Sequence, residues 1–133
     1  MKTLKTIMLF TAMIFAVQAC KKDKNKEREK TIQEKILGKW TYVSRTVTTT
    51  KPPSIDTNPA EPGDYMEFRA DGKIQVRMNG AERTGNYSIN AENKLLVEDE
   101  AYDIDELNDK KLTFSISEKD GDNIDKLSYN LSK

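Results

Sequence analysis

Two dipeptides, Asp71-Gly72 and Asn79-Gly80, bracket the segment 73–78 (KIQVRM). Both are strong signals for tight hairpin turns, which need positive φ at their central residues. Between them Ile74, Val76 and Met78 alternate with Lys73, Gln75 and Arg77. A period of two puts the apolar set on one face of a strand. A strand that enters and leaves by tight turns must pair antiparallel with both neighbours. This is the strongest constraint in the chain, because the same pattern repeats through most of its length.

The further strand segments are 39–48 (KWTYVSRTVT), 64–69 (DYMEFR), 83–90 (RTGNYSIN), 94–98 (KLLVE), 101–105 (AYDID), 110–117 (KKLTFSIS) and 126–132 (KLSYNLS). With 73–78 they make eight short strands, most of them joined by turns of a few residues. The long connection is 49–63, whose four prolines and polar residues read as a loop. A second loop is expected at 118–125. Before the strands, Thr31 and Glu34 fit a capping box, and Gly38 supplies a stop for a helix of about two turns. An open meander leaves two unpaired edges, and closure into a barrel removes them. The expected fold is all-β: a small eight-stranded antiparallel up-and-down β-barrel with a short N-terminal helix.

The N-terminus has a different character. Lys2 and Lys5 precede an apolar run at 7–17 (IMLFTAMIFAV). Such a run suits a signal-peptide core of roughly 7–15 residues and falls short of the roughly 20 that span a bilayer. Val17, Gln18 and Ala19 then lead to Cys20, the one cysteine of the chain. An aliphatic residue followed by a small residue directly before cysteine resembles the lipobox of bacterial lipoprotein precursors. The resemblance implies cleavage before Cys20 and acyl chains on that residue. Each buried methylene contributes about 0.8 kcal/mol, so two or three chains make a lasting membrane anchor. It also implies an outer-membrane lipoprotein, on the periplasmic face or the cell surface. The expected organisation is a signal peptide over 1–19, a lipidated Cys20 and disordered basic tether over 20–30, and a barrel domain over 31–133.

The formal net charge is zero, but the distribution is uneven. Residues 21–30 (KKDKNKEREK) carry a net +3, and residues 31–133 a net −5. The tether lacks apolar residues and suits the head groups of an anionic membrane. The acidic domain argues against nucleic acid as a partner. The chain has no histidine, which removes Ser-His-Asp and Cys-His catalysis and the usual imidazole metal sites. Glu98, Asp99, Glu100, Asp103, Asp105, Glu106 and Asp109 read as an outward face and hairpin ends. Asp120, Asp122 and Asp125 match no EF-hand spacing. No enzyme, metal or cofactor is expected.

A short helix, Gly38-Lys39-Trp40 opening the first strand, a long first connection and an eight-stranded meander together resemble the lipocalin pattern. "LGKW", "YMEFRADGKI" and "GNYSI" are similar to the lipocalin-like domains of small bacterial lipoproteins. The resemblance covers roughly 31–133. It implies that Gly38 and Trp40 close the barrel beside the helix. Lipocalins place a late arginine over this tryptophan, where the last strand here offers only Lys126 and Lys133.

Eight strands enclose a space that side chains fill or that holds one small ligand. The candidate lining of a pocket is Met66, Phe68, Met78, Tyr87, Tyr102 and Phe114. Flexible methionines and aromatics suit an adaptable apolar site, and the same residues serve equally as plain core. Two functions follow as expectations. One is non-catalytic binding of a small apolar or amphipathic ligand. The other is a filled barrel acting as a protein-interaction or inhibitor module through its 49–63 loop and acidic face.

Overall fold

The computed structural model describes residues 28–133; the expected signal peptide, Cys20 and most of the expected tether lie outside the described residues. Thr31 is the N-cap of helix α1 (Ile32–Ile36). Its Oγ1 accepts the Glu34 N–H at 3.3 Å, and the Glu34 carboxylate accepts the Thr31 N–H at 2.8 Å. This is the reciprocal capping box. The helix is shorter than two turns because Leu37 is already extended, with ψ 142°. Gly38 then takes φ +107°, a conformation that disfavours any side chain, and turns the chain into the first strand.

Nine strands follow: β1 (Gly38–Thr50), β2 (Pro53–Pro59), β3 (Tyr65–Phe68), β4 (Lys73–Met78), β5 (Ala81–Ile89), β6 (Leu95–Val97), β7 (Glu100–Leu107), β8 (Lys111–Asp120) and β9 (Asn123–Ser132). From β3 to β9 each pairs antiparallel with the next, and β9 returns to β1. The eight strands β1 and β3–β9 therefore form one closed antiparallel barrel. Closure satisfies backbone groups that an open sheet would leave at its edges.

Most of the expected 49–63 loop is the tip of a strand pair, and only 60–63 remain as connection. The β-branched run Val47–Thr50 continues β1, and β2 folds back on it in the register Thr46↔Thr57 and Thr48↔Ile55. Pro53 and Pro59 stand at the two ends of β2. Proline is tolerated there because β2 is an edge strand, whose outer side needs no donors. β2 is exposed along its whole length. The expected loop at 118–125 is likewise the end of a hairpin, since β8 and β9 pair out to Asp120↔Asn123.

The α1 end of the barrel is packed shut. Trp40 is fully buried, and its Nε1–H donates to the Ile36 carbonyl at 2.8 Å. Lys133 Nζ lies 4.1 Å from the Trp40 ring centroid and donates to the Leu37 carbonyl at 2.9 Å. A lysine thus covers the tryptophan from the end of β9. Phe68 and Tyr87 meet edge to face with centroids 5.0 Å apart. The Tyr87 hydroxyl donates to the Arg69 carbonyl at 2.6 Å and is met by Gln33 Nε2 at 3.2 Å. Every fully buried polar side-chain atom among the described residues has a partner.

Candidate functional site

Toward the other end the interior is not filled. A cavity of about 340 Å³ lies inside the barrel wall. Its apolar part is formed by Met66, Ile74, Val76, Met78, Val97 and Phe114, and its rim by Arg83, Thr84, Glu98, Glu100, Tyr102 and Tyr129. The space has a local cause. On β4 and β5 the inward residues pair as Ile74↔Gly85 and Val76↔Arg83. Gly85 contributes no side chain, and the Glu98 carboxylate stands in its place. Arg83, next inward on the same strand, is a long polar residue that reaches the rim.

The wall is thin beside this point. β6 pairs with β5 only over Tyr87–Ile89, so the 81–86 stretch of β5 has a ladder on its β4 side alone. One residue extends the pairing. Glu98 N–H donates to the Asn86 carbonyl at 3.0 Å, and Glu98 Oε1 accepts the Asn86 N–H at 3.0 Å. Glu98 holds φ +52° to do this. A Cβ on Gly85 would collide with Glu98 Oε1, so the glycine makes room for this carboxylate.

Three tyrosines converge near the rim. Tyr102 and Phe114 meet edge to face at 5.3 Å, Phe114 and Tyr129 stack at 5.1 Å, and Tyr42 lies 6.3 Å from Tyr129. Burial raises the hydroxyl pKa of all three. For Tyr102 the hydrogen bond to Glu100 raises it further. For Tyr129 the charges of Arg45 and Arg83 oppose the rise, and Glu100 adds to it. The three hydroxyls therefore remain protonated donors at ordinary pH.

Of the residues expected to line a pocket, Met66, Met78, Tyr102 and Phe114 do so. Phe68 and Tyr87 do not: both are buried in the packing at the α1 end. Alternation alone puts them inward, but inward residues are divided between the closed end and the cavity by their height in the barrel. Gly38 and Trp40 stand at that closed end. Sequence reasoning missed Arg83, Gly85, Glu98, Glu100 and Tyr129 as cavity residues. Counting back by twos from Tyr87 reaches Gly85 and Arg83, so that part of the signal was present.

The outer acidic band is partly neutralised. Asp103 pairs with Lys94 at 3.3 Å, Glu106 with Lys111 at 2.9 Å and Asp105 with Lys126 at 3.6 Å. In the 120–125 turn, Asp122 pairs with Lys51 at 3.2 Å and Asp125 accepts from Asn123 at 3.1 Å. Among the described residues no group of three or more acidic or sulfur side chains could hold a metal ion, and no helix is long and apolar enough to cross a membrane.

What these features define is a closed eight-stranded barrel with a sealed end and an apolar cavity behind a polar rim. A scan against protein-family models finds no match. A search of the curated proteins likewise finds none.

Proposed function

We propose that this chain is a membrane-anchored lipoprotein whose lipocalin-like barrel binds a small apolar or amphipathic molecule without chemistry. The observation that carries the reading is the cavity of about 340 Å³, apolar within and polar at its rim. Ligand pockets span roughly 300–1,000 Å³ with mainly apolar linings and a few placed polar groups, so this one suits a small guest. The lipobox-like sequence ending at Cys20 supports the anchor, and the basic residues after it support a position at an anionic bilayer. An outer-membrane location follows from the same resemblance.

The test is native mass spectrometry of residues 21–133, prepared without the anchor and incubated with lipid and metabolite extract of the host. A reproducible added mass is expected, and Val76→Trp, which fills the cavity, abolishes it. No added mass from several extracts rejects the reading.

One observation favours the interaction-module reading instead. β2 projects as an edge strand with one side unpaired, and Ile55 on it is 75% exposed. An extended segment of a protein partner would add to such an edge. Capture of a partner that is lost on Ile55→Lys, with no ligand mass, would decide for it.

A further inference from the structure

The rim carries both signs of charge: Arg83 faces Glu98 and Glu100 around the cavity. Arg83 lines the cavity together with Tyr129. Arg45 lies directly across from Tyr129 in the β1–β9 register. Directly opposed residues share a face of the sheet, with Cβ atoms roughly 4.5–5.5 Å apart. Arg45 therefore shares the face of Tyr129; it is exposed and lines a second pocket with Tyr42 and Met78, and Met78 also lines the cavity. Among the described residues neither Arg45 nor Arg83 has a carboxylate partner. The tyrosine hydroxyls that bond to protein are those of Tyr65, Tyr87 and Tyr102. Among the described residues the hydroxyls of Tyr42 and Tyr129 have no protein acceptor.

The carboxylates at the same rim are differently placed. Glu98 accepts from the Asn86 N–H, and Glu100 accepts from the Tyr102 hydroxyl. Among the described residues, the groups here without a protein partner are thus two exposed guanidinium ions and two hydroxyls, whereas both carboxylates already accept a hydrogen bond. Arginine forks match planar oxyanions, and hydrogen bonds to ionised acceptors are the strong ones.

We propose that the ligand is an amphipathic anion whose apolar body occupies the space beside Ile74 and Phe114. Its oxyanion head is held at the rim by Arg83, Arg45 and the Tyr129 hydroxyl. This rests on the binding reading above and adds the chemical class of the guest. A neutral apolar guest would leave the two arginines to water, and a cationic one would meet them as like charges; an anionic head therefore sits on the Arg83 and Tyr129 side of the rim, away from Glu98 and Glu100.

The experiment uses the full chain in membrane vesicles and three photoreactive probes. Each is the same medium-length alkyl chain with an internal diazirine. The heads are a carboxylate, a hydroxyl and a trimethylammonium. Labelled residues are mapped by peptide mass spectrometry. The carboxylate probe is expected to label Met66, Ile74 and Phe114 about tenfold more than the trimethylammonium probe, the scale of one charge-assisted hydrogen bond. The double variant Arg45→Gln, Arg83→Gln should erase that preference. Continued labelling of Phe114 by the hydroxyl probe shows that the variant is folded. Tyr129→Phe, which keeps the ring, should reduce carboxylate labelling on its own. Equal cavity labelling by all three heads overturns the anion assignment and leaves the binding reading intact. A preference for trimethylammonium overturns it in favour of Glu98 and Glu100. Labelling outside the cavity with every head overturns both.

Discussion

Asp64 is a carboxylate with only 2% exposure, and it is held mainly by backbone. Its Oδ2 accepts the N–H of Glu61 at 3.1 Å and of Asn79 at 3.0 Å, and its Oδ1 accepts the N–H of Gly80 at 3.4 Å. It ties the start of β3 to the β4–β5 turn. The hydrogen bond from Asn79 is the main cause that lowers its pKa below 3.8; burial opposes it, and Glu61, Gly80 and the Arg77 charge add to the lowering. A carboxyl with a depressed folded-state pKa stabilises the fold above the unfolded value. That stability is lost as pH falls through the folded value. The contribution is therefore present at neutral pH and disappears below 3.8. Thermal melts from about pH 5 down to about pH 2 should show the native protein losing stability through this range. Asp64→Asn should start less stable and give a flatter profile. An equal acid slope in both would remove Asp64 from the account. Nothing in the sequence distinguished Asp64 from Asp71. Its partners at 79–80 reach it only after the β3–β4–β5 meander has folded back.

At the scale of elements, two hairpins are joined at their tips. Asn123 Oδ1 accepts from the Lys51 N–H at 2.9 Å and from Thr50 Oγ1 at 3.1 Å. Thr50 Oγ1 in turn accepts the Ile124 N–H at 2.8 Å. These contacts hold the β1–β2 hairpin against the β8–β9 hairpin. β2 buries no apolar face, so this polar lock and its ladder to β1 are what order it. Asn123→Ala should cost about 1 kcal/mol, felt locally. Hydrogen exchange should speed up over the β1–β2 tip and leave β3–β5 unchanged. Unaltered exchange at the tip would show that the ladder alone suffices. The four prolines and the Asp/Asn-rich turn had read as two separate loops. Their pairing depends on residues more than 70 positions apart, as from Thr50 to Asn123. No local pattern encodes that.

For the whole molecule, the end of β9 completes the closed end. Lys133 spans from its strand to the Trp40 ring and the Leu37 carbonyl, joining β9 to α1 and β1. Lys133→Ala should destabilise the barrel by about 1 kcal/mol in thermal or urea unfolding, whereas Lys133→Arg should retain the stability. No change on Lys133→Ala would mean that the cation adds nothing to closure. The eight barrel strands, their hairpin turns, the helix cap and the all-β closed architecture were legible from the residues, whereas β2 was not. Period-two alternation, Asp-Gly and Asn-Gly turns and the capping box act over a few residues, and each leaves its mark there. The division of the inward side chains into a packed end and a cavity was decided by the tertiary structure. So were the placing of Arg45 opposite Tyr129 and the use of Glu98 to extend the ladder beside Gly85. Each depends on the register in which distant strands meet, and that register is complete only when β9 closes on β1.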